Sequence, residues 1–230
     1  MTDANQEKPA KKAAGALKST FTLELHTNYA IKLWEGRKNK EQKSKWSIIG
    51  IPVFIGMASR AHSDSLKNNP FADMILWRLE KSLDESSKFI GGELNKAEAW
   101  LAELPNQIHV SDVISSSPLN LEVFSQTPLG YRCVWLLVGF DQLVMKTLQA
   151  YHYGIISTNK RDLVLTESGH RVRQAFGVVT RYRSFPISRG SLNVESEEYR
   201  TAVKIMGDLD HGILTGAKRS SFSPPLASLK

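Results

Sequence analysis

A chain of 230 residues with 30 Lys plus Arg against 23 Asp plus Glu carries a net charge of +7 and a pI near 9.4. At 41% hydrophobic and 23% charged residues it has material for a core, and its length suits one large domain or two small ones. The single cysteine, Cys133, excludes an intramolecular disulfide and any Cys-rich zinc or iron–sulfur site, and fits a reducing compartment. Residues 1–19 are polar with no apolar stretch of signal-peptide type, and no run of about 18 apolar residues exists. The expectation is a cytoplasmic protein with no membrane partner.

The charge is segregated. Residues 1–46 hold ten basic and five acidic side chains, 64–122 hold five and ten, and 159–189 hold seven and two. Two basic zones therefore flank an acidic middle. Such zones are either solvated faces that pair with one another or a nucleic-acid footprint.

In chain order, 1–18 reads as a disordered basic tail. Residues 19–26 alternate, with Phe21, Leu23 and Leu25 on one side, as a half-buried strand does. Thr27 or Asn28 caps a short helix through Trp34 that stops at Gly36. A lysine-rich stretch, 37–45, follows, bracketed by Trp34 and Trp46. Residues 48–57 enter the core as a helix starting near Pro52. From Pro70 to Leu104 apolar residues recur at three- and four-residue spacing, with Gly91-Gly92 as a point of division into two helices. Such a stripe is core or a helix seam.

Residues 108–114 and 119–124 read as short strands around a Ser115–Pro118 turn. Thr127-Pro128 is a turn or a helix start, and 131–140 a strand or the first turns of a helix. Residues 141–153 read as helix ending at Gly154. Ser157 or Thr158 then caps a helix over 159–178, with Gly169 as its weak point. A last helix spans 195–206. The Gly-, Ser- and Pro-rich stretch 211–230 reads as a flexible tail, leaving 19–210 as one domain.

Catalytic and metal chemistry find no pattern here. The six histidines show no metal-ligand spacing, and Gly212–Lys218 imitates a phosphate loop with the wrong spacing. Cys133 lies in an apolar run, where a reactive thiolate is hard to sustain. No cofactor, metal or enzymatic activity is expected.

Two segments suit DNA. The lysine-rich stretch supplies Arg37, Lys38, Lys40, Lys43 and Lys45, which would neutralise phosphate without reading sequence. In 119–183 a strand precedes two helices, the order of a ribbon–helix–helix protomer, in which paired strands of two copies enter the major groove. There the second helix opens at Thr158 with Lys160 and Arg161, placing cations beside backbone N–H donors. Arg171 and Arg173 follow on the same helix, as DNA contacts or as structural residues.

Several motifs stand out together: Leu25-His26-Thr27-Asn28-Tyr29 through Leu33-Trp34-Glu35-Gly36-Arg37, Ile48-Ile49-Gly50-Ile51-Pro52 with Phe54, and Asn69-Pro70-Phe71-Ala72-Asp73 with Leu76. Asp141-Gln142-Leu143-Val144 leading to His152-Tyr153-Gly154 adds to them, as does Arg171-Val172-Arg173-Gln174-Ala175-Phe176 with Tyr182-Arg183. Over about 25–210 they resemble the AcaB-like family of proteins from conjugative plasmids and integrative conjugative elements. The resemblance implies a DNA-binding transcriptional activator of conjugative-transfer genes, with a fold related to ribbon–helix–helix regulators. Two departures stand out: 37–45 is richer in lysine than the family pattern, and Thr127 stands where Asn is expected.

The expected class is thus α+β, mostly α, a ribbon–helix–helix-like core with additional helices. The partners expected are double-stranded DNA, a second copy of the chain and, for an activator, RNA polymerase. The ribbon strand is 20–26 by its clean alternation, or 119–125 or 131–138 by position before the helix pair, with the latter favoured. The competing reading is an accessory interaction protein of the transfer machinery, using the acidic helical face at 80–103.

Overall fold

The computed structural model describes residues 20–37 and 48–226. Its elements run β1 (Phe21–Leu25), α1 (Asn28–Glu35), α2 (Ile51–Leu66), α3 (Pro70–Ala102), β2 (Leu119–Val123), α4 (Pro128–His152), α5 (Thr158–Thr180), a 3₁₀ turn (Arg189–Ser191), α6 (Glu197–Met206) and α7 (His211–Thr215). The α+β, mostly helical class expected from sequence is what forms.

Helix starts follow local chemistry. Side-chain oxygens of Thr27, Asn69, Thr127 and Ser157 accept the backbone N–H of Ala30, Phe71 and Ala72, Gly130 and Lys160, respectively. Pro70 and Pro128 occupy the first helical position, where no N–H is needed. Thr127 thus caps α4 directly. The cap of α5 is Ser157, and Thr158 is its first helical residue.

Helix α3 continues unbroken through Gly91-Gly92, contrary to the division expected. Each glycine costs a helix about 1 kcal/mol relative to alanine. Long-range packing offsets that cost: Ile90 and Ala97, on either side of the pair, are buried, and Ile90 lies against Gly139 of α4. Helix α4 is central and packs on α3, α5, α1 and α2. Phe54, Phe71, Phe140 and Phe176 from four different helices fill the core.

Strands β1 and β2 pair antiparallel in one chain, Phe21 opposite Val123, Leu23 opposite Leu121 and Leu25 opposite Leu119. Two of the three ribbon candidates are therefore partners of each other, and the third, 131–138, is helix. The expected strand at 108–114 does not form. Its Ile108, Val113 and Ile114 are exposed, and side chains rather than a ladder hold the segment to α4: Gln149 Nε2 donates to Ser111 O (2.8 Å) and Lys146 pairs with Asp112 (2.7 Å). Without a second strand beside it, alternation alone cannot satisfy the backbone of this segment.

The residues that carry the family resemblance build the junctions. A side chain on Gly50 would overlap the Trp34 and Glu35 carbonyls, and one on Gly36, at φ 72°, would overlap the backbone at 48–50. Two chain segments cross here with no room for a methyl group. Gly50→Ala is expected to cost about 1–3 kcal/mol, read as a lower urea midpoint at unchanged slope. Nearby, Asp141 on α4 takes the N–H groups of His26 and Thr27 at 2.8 and 3.0 Å and the Thr27 hydroxyl at 2.6 Å. Asp64 accepts from the Tyr182 and Ser184 hydroxyls at 2.7 and 2.5 Å.

The stretch read as a flexible tail is anchored over 211–226. Asp73, fully buried near the start of α3, pairs with Arg189 (2.7 Å) and Arg219 (2.9 Å). Arg189 also donates to the Ile213 and Leu214 carbonyls at the end of α7. Lys218 pairs with Asp210 and lies 3.9 Å above the Trp77 ring. The Gly/Ser/Pro composition read as a flexible tail; the short helix α7 and the buried Arg219–Asp73 pair order 211–226 instead.

Candidate nucleic-acid interface

The acidic middle is partly taken up inside the fold. Asp73 takes two arginines, Glu80 accepts the Ser221 N–H (2.9 Å), and Asp84 pairs with Arg132. On α3 the exposed carboxylates Glu85 and Glu98 alternate with Lys81, Lys88 and Lys96, a mixed face rather than an acidic one.

The basic residues of α5 separate onto three edges. Lys160 Nζ lies 5.5 Å above Trp100 and the Arg171 guanidinium 5.2 Å above Phe89. Residues 160 and 171 are about three turns apart, as are Trp100 and Phe89 on α3, so both cations clip α5 to its antiparallel neighbour. Both side chains remain exposed, since a ring face leaves the charge available to an anion. Arg161 stacks 4.2 Å above Tyr151 and pairs with Asp162 at 2.7 Å.

Arg173 faces elsewhere. It lines a groove of about 550 Å³ with Lys32, Leu33, Gly36, Arg37, Ile48, Phe140, Asp162, Leu165 and Gly169, between α1 and α5. Burial and then the neighbouring Arg37 charge lower its pKa. The two ends of the lysine-rich stretch, Arg37 and Ile48, also pair through their backbones at 2.7 and 2.9 Å, and both line this groove. Lys38, Lys40, Lys43 and Lys45 lie outside the described residues.

Thus Thr158, Lys160 and Arg161 share the first turn of α5, Lys160 and Arg171 lie on the α3 edge, and Arg37 and Arg173 line the groove. The sequence reading missed Lys32 and Asp162. Helical spacing sets Lys32 one turn before Gly36, but nothing local joins it to Arg173.

The outer face of the β1–β2 ribbon carries Thr22 opposite Glu122 and Glu24 opposite Asn120, all exposed. Two carboxylates on that face repel phosphate. Cys133 is fully buried, and burial pushes its thiol up. Among the described residues no group of His, Cys, Asp and Glu is placed to hold a metal ion, and no helix is long and apolar enough to cross a membrane.

A search of the curated proteins finds no match. Among solved structures, the crystal structure of selenomethionine-containing AcaB from uropathogenic E. coli aligns at a TM-score of 0.48 and 13% identity, over 86% of this chain and 95% of that one. The family model described as transcriptional regulator AcaB matches residues 13–227. With nearly the whole sequence inside that match, the chain belongs to the AcaB family of transcriptional regulators.

Proposed function

We propose that this regulator is a DNA-binding activator of conjugative-transfer genes that holds promoter DNA as a homodimer. The observation that supports it best is the meeting of two sequence-distant basic zones. Arg37 and Ile48, at the base of the lysine-rich stretch, line one groove with Asp162, Leu165 and Arg173 of α5. That α5 start offers N–H groups at Thr158 and Asn159, has no acidic residue in its first turn, and carries Lys160 and Arg161.

In this proposal Thr158, Lys160, Arg161 and Arg171 contact phosphate from α5, and Arg37, Lys38, Lys40, Lys43 and Lys45 extend the contact along the backbone. The strand–helix–helix order is present as β2, α4 and α5, but β2 is partnered by β1, and the ribbon's outer face is acidic. DNA contact is therefore assigned to the α5 start, not to the ribbon. A second copy has apolar surface to bury near the ribbon, where Phe124 and Trp135 are 75% and 59% exposed. RNA polymerase is the further partner that activation requires.

The test is a salt titration of binding to transfer-gene promoter DNA. With five to eight phosphate contacts, log K against log salt has a slope of roughly −5 to −7. Lys160→Ala and Arg161→Ala each reduce that slope by about 1 and weaken specific and random DNA alike. Absence of binding at low salt, or slopes unmoved by these changes, overturns the proposal. An accessory protein without DNA recognition would instead purify free of nucleic acid, seen as a low 260/280 absorbance ratio.

A further inference from the structure

We infer that the corner where α4 turns into α5 binds single-stranded DNA, stacking its unpaired bases on aromatic side chains beside cations that hold its phosphates. The observation that carries it is a run of exposed rings. Tyr151 and Tyr153 are 37% and 45% exposed, and His152 between them is exposed as well. The His152 and Tyr153 rings meet edge to face at 5.4 Å. Among the described residues neither of these two side chains takes part in a hydrogen bond, so folding makes little use of them.

The rings stand on an ordered support. Gly154, at φ 73°, reverses the chain, and the N–H groups of Gly154 and Ile155 donate to the Tyr151 and Ala150 carbonyls at 3.0 and 2.9 Å. Ile155 and Ile156 are half-buried and pin the turn. Rings presented on a backbone that is already fixed lose little conformational freedom when a base stacks on them.

Charge selects the kind of partner. Between Asp141 and Asp162 the sequence holds no carboxylate, and it holds Lys146, Lys160 and Arg161. Lys146 is paired with Asp112, whereas the Lys160 ammonium lies over the Trp100 ring and stays exposed. Arg161 shares its charge with Asp162 and stacks 4.2 Å above Tyr151, which ties cation and ring into one corner. An apolar protein surface has no use for these cations, and a lone phosphate has none for the rings. A polyanion carrying flat apolar units satisfies both. In duplex DNA each base face is already covered by its neighbours, so the rings have nothing to engage. In a single strand the faces are free, and stacking on an aromatic ring strengthens binding with little regard to sequence.

The inference shares with the promoter-binding proposal the phosphate role of Lys160 and Arg161, from which the choice of DNA over RNA follows. The role of the rings is its own.

The experiment is fluorescence anisotropy of the full chain with labelled oligo(dT) of about 12 nucleotides. It is compared with a strand of the same length and charge with abasic sites in place of bases, with oligo(rU) and with promoter duplex. Oligo(dT) binds at least tenfold more tightly than the abasic strand. Tyr153→Ala weakens oligo(dT) binding about fivefold or more, while Tyr153→Phe, which keeps the ring, changes it less than twofold. Neither substitution moves duplex binding. Lys160→Ala weakens all four, because phosphate is common to them.

No binding of oligo(dT) at low salt, an abasic strand bound as tightly as oligo(dT), or a Tyr153→Ala loss repeated on the duplex overturns the inference. Tighter binding of oligo(rU) than oligo(dT) overturns the choice of DNA. Duplex binding with no preference for bases in the single strand sinks this inference and leaves the promoter reading standing. Base-dependent binding of oligo(dT) without duplex binding does the reverse.

Discussion

Replacing Asp73 by alanine is expected to destabilise the fold by about 3–5 kcal/mol, because it strands two guanidinium groups in the interior. Asp73 has no exposed surface, and the Arg189 and Arg219 side chains that pair with it are 9% and 13% exposed. The carboxylate also accepts the Ser65 hydroxyl at 2.5 Å. For a domain of this size such a loss lowers Tm by about 6–20 °C. A urea or thermal melt checks it, with Lys96→Ala, which breaks an exposed i,i+3 pair, shifting stability by at most about 0.5 kcal/mol. A second consequence separates this account from generic core damage. Removing Arg219 as well restores part of the loss, since one stranded cation goes with its partner. An Asp73→Ala variant as stable as the parent, or one made worse by Arg219→Ala, would refute the role given to this carboxylate.

Asp141→Ala is the other large effect, also expected at about 3–5 kcal/mol. Its carboxylate receives three donors from the turn between β1 and α1, two of them buried, and alanine leaves those donors unsatisfied. The loss is local in its consequences. Amide exchange should accelerate first at His26 and Thr27 and along α1, before the core of α3 and α4 opens. Uniform loss of protection across the chain would count against the clamp.

Much of the fold was legible in sequence because short-range chemistry wrote it. Thr27 and Ser157 as cap candidates, and Pro70 as a start, depend on groups within four residues, while Thr127-Pro128 read equally as a turn and a helix start. Alternation in 20–26 identified β1 for the same reason. The misreadings are equally physical. Gly91-Gly92 is a local weakness overruled by packing against α4. The apolar alternation of 108–114 had no neighbouring strand to pair with. The tail composition of 211–230 concealed Arg219, whose role depends on a carboxylate far away in the chain.

The candidate interface shows the same division. Sequence picked out Thr158, Lys160 and Arg161 at a helix start, with Arg37, Arg171 and Arg173 as further cations, and that chemistry was visible from residue type alone. Their sorting onto the Trp100 and Phe89 edge, the Tyr151 stack and the groove depends on helix packing angles, which no window of sequence contains.

By itself, then, the sequence determined the starts of α1, α3 and α5, the inert character of Cys133, and a charge of +7 divided into zones. Each of these depends on residue type and near neighbours. The tertiary structure alone decided that β1 pairs with β2, that Arg219 meets Asp73 across 146 positions, and that Arg37 and Arg173 face one groove. Those contacts are reached only when loop closure is offset by burial of the whole core, so they belong to the fold and not to any segment of it.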